Sequence, residues 1–200
     1  MTIMLSADEI QTSLVGAWRL MMGKPDGFRL LDLSAEGFWN SFQAILVAVP
    51  ALILGWIGAA NEISDPAAAT GRFSMVVKLG LVDLGSWLLP LVGLALVAQH
   101  VGIANRFVHY VVASNWASAI IAWLLLPPAL LRLFLPSATE AAMLVSLLLF
   151  VASLVLTWRM TNAAIGRGAA MGSAVFAGMF VASLVVLFTL QSLLGIPIPG

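Results

Sequence analysis

Five long apolar blocks follow one another along the chain, separated by short stretches where charged residues, glycines and prolines collect. A helix of about 20 mainly apolar residues crosses the hydrocarbon core of a bilayer. The pattern therefore predicts an all-α polytopic membrane bundle with about five transmembrane helices, at residues 39–59, 75–98, 108–128, 138–158 and 170–194.

The polar segment before the first block predicts an amphipathic helix of its own. Ser6 and Glu9 have the spacing of a helix-capping box. Apolar residues then recur every three or four positions, so that they share one helical stripe. Two placements of this stripe remain open, namely the membrane interface, with Trp18 at headgroup depth, and the surface of the spanning bundle. The stripe consists of Ile10, Leu14, Trp18 and Met21.

We divide the chain into a cytoplasmic N-terminal segment, 1–38, and a five-helix transmembrane domain, 39–200.

Tryptophans and prolines mark features within the spans. Trp39 and Trp56 bracket the first span, as expected of an aromatic belt, and Pro50 between them predicts a kink. Pro127 and Pro128 are expected to end the third helix and to leave the segment ALLRLFLP as a short element near the surface.

Composition supports a membrane protein and excludes several other classes. Hydrophobic residues make up 62% of the chain and charged residues 9%, and the mean hydropathy is +1.06, whereas soluble domains are about half apolar and a quarter charged. The bilayer is therefore the expected partner. There is no cysteine, which excludes disulfides and thiolate sites. A net charge of zero without a basic run gives no indication of a nucleic-acid partner.

The distribution of basic residues predicts the orientation, because loops on the cytoplasmic side carry an excess of Lys and Arg. An N-terminus in the cytoplasm, with five spans, places the C-terminus outside. Arginine in excess of lysine, many Ala, Leu and Gly residues and the lack of cysteine fit a bacterial inner-membrane protein. The cytoplasmic side then receives Arg19, Lys24, Arg29, Arg106, Arg159 and Arg167, and the outer side Arg72, Lys78 and Arg132.

Asp83, Asn115 and Arg132 form the candidate intramembrane polar site. With Lys78 at the outer interface, Asp83 is expected about 7–8 Å further in, where Arg132 at the outer end of the third span could pair with it. We expect Asp83 to be a paired or hydrated acid that orders helices. The alternative is a functional acid, because ionisable groups in spans are costly and suggest function. Asn115 is expected to form hydrogen bonds between helices.

No motif predicts catalysis or a cofactor. The sequence contains no GxSxG, HExxH or Walker loop. His100 and His109 lack nearby acids, and His109 is expected to be a solvated residue of the interface. We therefore expect no enzymatic activity, no catalytic residue, no cofactor and no metal site.

Small residues form a ridge on the fifth predicted span, and such ridges let helices approach closely. Gly168 and Gly172 form a GxxxG beside it. We expect the ridge to pack within one bundle, with contact between protomers of a homo-oligomer, or with other membrane proteins, as the alternative. Its members are Ala170, Ala174, Gly178 and Ala182.

The segment LMMGKPDGFRLLDLSAEGFWNSF, followed by five closely spaced hydrophobic helices, resembles bacterial members of the Yip-domain family. These are small membrane proteins with five spans, and the eukaryotic members are associated with vesicle trafficking and Rab GTPases. The resemblance covers the architecture of nearly the whole chain and assigns no functional residue.

Two functions from different classes are consistent with the sequence. The first is a non-enzymatic membrane protein that scaffolds, binds partners or organises the bilayer through its N-terminal helix. The alternative is a small oligomeric transporter or channel-like protein with Asp83 and Asn115 along a polar path. A single polar cavity shared by these two residues would favour the alternative.

Overall fold

The computed structural model describes residues 5–63, 69–135, 137 and 139–197. Within these ranges the chain is helical, without a strand. Short 3-10 helices cover Pro25–Leu30, Ser41–Gln43 and Ala104–Arg106. The α-helices are α1 (Ala7–Met21), α2 (Ala35–Asn40), α3 (Ala44–Ile63), α4 (Ala69–Val97), α5 (Phe107–Leu124), α6 (Leu126–Phe134), α7 (Thr139–Ile165) and α8 (Ala169–Leu193).

Five helical segments are long and apolar enough to cross a membrane, which confirms the predicted class of helical membrane bundle. The fourth segment continues to Ile165, beyond the predicted end at residue 158. The polar end of α7 stays helical because it packs on α1, and Arg159 Nη2 donates a hydrogen bond to the Met22 carbonyl at 2.7 Å. The segments are Ala35–Asn61, Gly71–Val97, Ala104–Phe134, Glu140–Ile165 and Ala169–Leu193.

The predicted break in the third span is confirmed. α5 ends at Leu124, and Pro127 and Pro128 lie in the first turn of α6. A proline is tolerated there because the first amides of a helix have no partner within it. Pro50 and Pro90 lie inside α3 and α4, and both helices continue through them.

The start of α1 has the predicted capping box. Ser6 Oγ accepts a hydrogen bond from the Glu9 amide at 3.3 Å, and the Glu9 carboxylate accepts one from the Ser6 amide at 2.8 Å. These bonds satisfy two amides that have no partner within the helix.

The apolar stripe of α1 packs on the bundle, which is one of the two placements left open by the sequence. The helix contacts α5 and α7, and Ala17, Leu20 and Met21 are fully buried in the main core. Trp18 remains 43% exposed, because the buried stripe is rotated away from it. The N-terminal segment and the spans therefore share one hydrophobic core.

α5 is buried over most of the stretch from Tyr110 to Ala119. It contacts α3 and α7, while α4 contacts α3 and α8, and α8 also contacts α7. The helices thus follow one another in a ring. Space remains inside this ring between α4 and α5.

The small-residue ridge of α8 does not pack within the bundle, so that expectation is wrong. Ala170, Ala174 and Gly178 are exposed, and Ala182 is half-buried. The orientation of α8 is set instead by Gly172 on another face, where an added Cβ would overlap the Asn162 side chain of α7. The close α7–α8 approach therefore uses one glycine of the GxxxG, and Gly168 serves in the turn with φ of 86°.

Candidate functional site

Asp83 lies near the middle of α4, about 18 Å along the helix from Gly71 at about 1.5 Å per residue. Its Oδ2 accepts a hydrogen bond from Trp56 Nε1 of α3 at 2.6 Å. Gly80, one turn earlier, makes room for the indole, because an added Cβ would lie 3.3 Å from the ring. Trp56 of α3 therefore donates a hydrogen bond to the acid of α4. The sequence analysis placed Trp56 in an aromatic belt and did not predict this hydrogen bond.

Arg132 does not pair with Asp83 in this structure. Its Nη2 lies 3.4 Å from Ser146 Oγ on α7. α6 packs against α3 and α7, and this packing takes the guanidinium to a cavity lined by Pro128 and Phe150, among others. The expected ion pair is thus replaced by two separate contacts. The shallow depth expected for Asp83 differs from its place in the candidate span Gly71–Val97, where it lies near the middle.

A cavity of about 400 Å³ opens beside Asp83 between α4, α5, α7 and α8, and we call it the Asp83 cavity. Most of its wall is apolar or aromatic. One carboxylate and several hydroxyl groups interrupt this wall, which is the usual composition of a small-molecule site. The polar residues are Asp83, Ser86, Tyr110, Ser114, Ser118, Thr157 and Ser183.

Two of these hydroxyl groups differ in their hydrogen bonds. Ser114 Oγ donates to the Val111 carbonyl of its own helix at 3.0 Å. Ser86 Oγ is buried and has no hydrogen-bond partner among the described residues. A buried hydroxyl without a partner is costly, so Ser86 is available to a polar group that enters the cavity.

Asn115 lies outside this cavity in a tight network. The residue is 0% exposed. Its Oδ1 accepts from Trp87 Nε1 of α4 at 3.0 Å, and its Nδ2 donates to Ser41 Oγ at 2.9 Å. Ser41 Oγ in turn donates to the Phe38 carbonyl at 2.7 Å. Asn115 therefore makes the interhelical hydrogen bonds that its position predicted, and only its partner Trp87 reaches the Asp83 cavity.

A second cavity, of about 250 Å³, lies between α1, α2 and α5, and we call it the N-terminal cavity. Its acids are Asp8, Glu9 and Asp32, and Ser41 and Trp116 also line it. The hydrogen bond from the Ser6 side chain, followed by that from the Ser6 backbone, lowers the pKa of Glu9 below its ordinary value. An ionised carboxylate therefore stands at this cavity at neutral pH.

The structure also places the histidines considered as metal ligands. His109 is half-buried and its ring meets the ring of Phe28 edge-on, with centroids 5.4 Å apart. It is therefore packed, where the sequence predicted a solvated residue. Across the part of the chain that the structure describes, no group of three or more His, Cys, Asp or Glu residues could hold a metal ion.

Ser86 and Trp87 were missed by the sequence analysis, although a signal for them exists. Asp83, Ser86, Trp87 and Pro90 all line the cavity. Their spacing of three, four and seven residues puts them on one face of a helix. An acid followed by such a polar and aromatic stripe could have been read as one lining face of α4. The N-terminal cavity has no comparable signal, because its residues come from distant segments.

No protein-family model, curated protein or solved structure matches this chain. The resemblance to the Yip-domain family therefore stays a prediction. Because a fold can host many functions, the function has to be argued from the geometry of the site.

Proposed function

We propose that this integral membrane protein is not an enzyme and that it binds a small, largely apolar cation in the Asp83 cavity. The observation that carries this proposal is the carboxylate of Asp83 in the wall of an apolar chamber inside the bundle. Among the described residues that line the chamber, none is basic. An acid at this depth is costly without a compensating charge, and a bound cation supplies one.

The rest of the wall fits the same chemistry. Trp87, Tyr110 and Phe176 present aromatic rings, which attract cations through their negative faces. Ser86 offers an unused hydroxyl oxygen that can accept a hydrogen bond from the solute. A cavity of about 400 Å³ lies within the usual size of small-molecule sites, about 300–1,000 Å³.

Of the two functions consistent with the sequence, this proposal develops the solute-handling one. Among the described residues, the shared cavity that would favour it is not present, because Asp83 lines the Asp83 cavity and Asn115 is linked to it only through Trp87. The proposal therefore rests on Asp83 alone.

A scaffold that works through its N-terminal helix needs an available apolar face on α1. Ala17, Leu20 and Met21 use that face for packing on the bundle. A scaffold would therefore have to use the apolar side chains that stay exposed on α1, such as Val15 and Trp18, at 44% and 43%.

The test is binding of tetraphenylphosphonium, an apolar aromatic cation, to the full chain in lipid nanodiscs, measured by equilibrium dialysis. We expect retention above that of empty nanodiscs and at least tenfold weaker binding by Asp83→Asn. Glu140→Gln is the matched control, because this acid is exposed and outside the cavity. Equal binding by Asp83→Asn and the parent, or no retention by the parent, would overturn the proposal.

A second candidate function, self-association or partner binding through α8, is favoured by the outward position of its small-residue ridge. Gly178 is exposed, and nothing lies within 4 Å of where its Cβ would be. Close helix packing in membranes uses such surfaces. If the ridge joins two copies, Gly178→Leu will convert dimers to monomers in mass photometry of nanodiscs. Gly93→Leu is the control, since Gly93 on α4 is also exposed and equally uncrowded.

The orientation belongs to the same proposal, namely an inner-membrane protein with a cytoplasmic N-terminus and an outer C-terminus. It is supported by basic residues gathered at one end of the bundle. Arg159 donates a hydrogen bond to the carbonyl of Met22, the residue that follows α1, and Arg167 Nη2 donates to Asn105 Oδ1 at 3.0 Å. Arg72 and Arg132 lie towards the other end, where α4 begins and α6 ends. Residues 198–200 lie outside the described part of the chain.

A further inference from the structure

One hydrogen-bonded group of side chains, Ser41, Asn115 and Trp87, links the two cavities, and we call it the triad. Ser41 lines the N-terminal cavity, and Trp87 lines the Asp83 cavity. Asn115 lies between them, fully buried, and bonds to both. The triad is therefore a polar connection through an otherwise apolar part of the bundle.

The hydrogen bonds of the triad run in one direction. The indole of Trp87 can only donate, so the amide oxygen of Asn115 must accept from it. The amide nitrogen of Asn115 then donates to Ser41, and the hydroxyl of Ser41 donates to a backbone carbonyl. Two side-chain bonds, and no bond inside a helix, hold the three residues together. Separating them breaks these two bonds and no backbone hydrogen bond of a helix.

The cavities on both sides are lined by acids. Asp8, Glu9 and Asp32 line the N-terminal cavity, and Asp83 lines the other. No basic side chain occurs among the described lining residues of either cavity. An ionised acid in either cavity therefore attracts cations and repels anions. A cation that leaves one of them across the triad enters a second site of the same preference.

The geometry points to the triad as the closed barrier of a path for cations between the two cavities. This inference rests on the proposed function only in taking the solute to be the cation bound at Asp83. Opening requires the Asn115 amide to leave Ser41 or Trp87. Ser41 lies in the short 3-10 helix at the junction of α2 and α3, so a small shift of this junction would widen the gap without breaking α3.

Cysteine accessibility tests the barrier directly, because the chain has no cysteine of its own. Ser86→Cys places a thiol in the Asp83 cavity. The cationic reagent MTSET is added to sealed proteoliposomes of known orientation at the face that carries the N-terminus. We expect slow labelling in Ser86→Cys alone and at least tenfold faster labelling when Trp87→Phe, which keeps the ring but loses the donor, is added.

Trp123→Phe is the matched control. It also removes an indole donor, which binds the Val47 carbonyl at 2.9 Å outside the triad, and it should leave the labelling rate unchanged. The anionic reagent MTSES should react at least tenfold more slowly than MTSET in the opened variant, corrected for their intrinsic rates. Ser41→Ala removes the other hydrogen bond of the triad, between Ser41 and Asn115. It replaces Trp87→Phe in the experiment if Trp87→Phe does not fold.

Two outcomes would overturn the barrier, namely unchanged labelling in both Trp87→Phe and Ser41→Ala, or fast labelling in the Ser86→Cys parent from the N-terminal face. Either one would count against it even if tetraphenylphosphonium binds at Asp83. Conversely, faster labelling in the opened variants without tetraphenylphosphonium binding supports the barrier and overturns only the proposed solute.

Discussion

At the scale of single residues, the hydrogen bond between Trp56 and Asp83 decides how the bundle tolerates an acid. The indole is supplied by α3, and Gly80 on α4 gives it space. A donor aimed at the acid reduces the cost of burying it. The remaining face of Asp83 opens on the cavity. One tryptophan thus holds the acid in position and leaves its other face open to a ligand.

We expect Trp56→Phe to destabilise the protein by about 1–2 kcal/mol, because Asp83 loses its indole donor while most of the packing remains. Thermal unfolding in detergent measures the change. In the Asp83→Asn background the same substitution should cost less, and this difference is the coupling between the two residues. Purely additive costs would show that the 2.6 Å contact contributes nothing to stability.

The ion pair between Arg19 and Asp26 predicts a pH effect outside the spans. Arg19 Nε donates to Asp26 Oδ1 at 3.1 Å, and this hydrogen bond holds the pKa of Asp26 below its ordinary value of 3.8. A lowered carboxyl pKa contributes stability above the unfolded value, which is lost as pH falls through the folded value. Arg19→Gln should therefore raise the pKa of Asp26, as measured by carboxyl-carbon NMR titration, and Lys24→Gln should have a smaller effect.

At the scale of helices, Gly172 and Gly178 separate two uses of small residues on α8. We expect Gly172→Ala to destabilise the bundle by about 1–3 kcal/mol, because its Cβ would overlap Asn162 of the neighbouring helix. Gly178→Ala should leave the thermal midpoint unchanged or slightly higher, since that site is open and alanine favours helix. Equal loss of stability in both variants would contradict this assignment.

The features that the sequence could predict are those that depend on neighbours along the chain. The capping box at Ser6, the break at Pro127 and the apolar length of the spans are all local, and the structure confirms them. The contact between Trp56 and Asp83 was not predictable in this way, because it depends on how α3 is rotated about its axis. Small residues on α8 likewise indicate that a helix can approach, and not which neighbour does.

At the scale of the whole molecule, the two cavities and the orientation form one arrangement. The N-terminal cavity lies at the end of the bundle that carries α1, and the Asp83 cavity lies beyond the triad. α1 packs on α5 and α7, and most residues that line the first cavity belong to the N-terminal segment. Removal of this segment would therefore change one end of the proposed path as well as the core.

Single cysteines decide the orientation, and the parent chain needs no cysteine removed first. Ala169 at the start of α8 and Ser137 in the turn before α7 are both exposed and lie at opposite ends of the bundle. With the N-terminus in the cytoplasm, a membrane-impermeant maleimide should label Ser137→Cys in intact bacterial cells. Ala169→Cys should react only after the membrane is permeabilised. The reverse pattern would place the six basic residues of the N-terminal end outside, against the rule that cytoplasmic loops are basic, and the N-terminal cavity would then face the exterior.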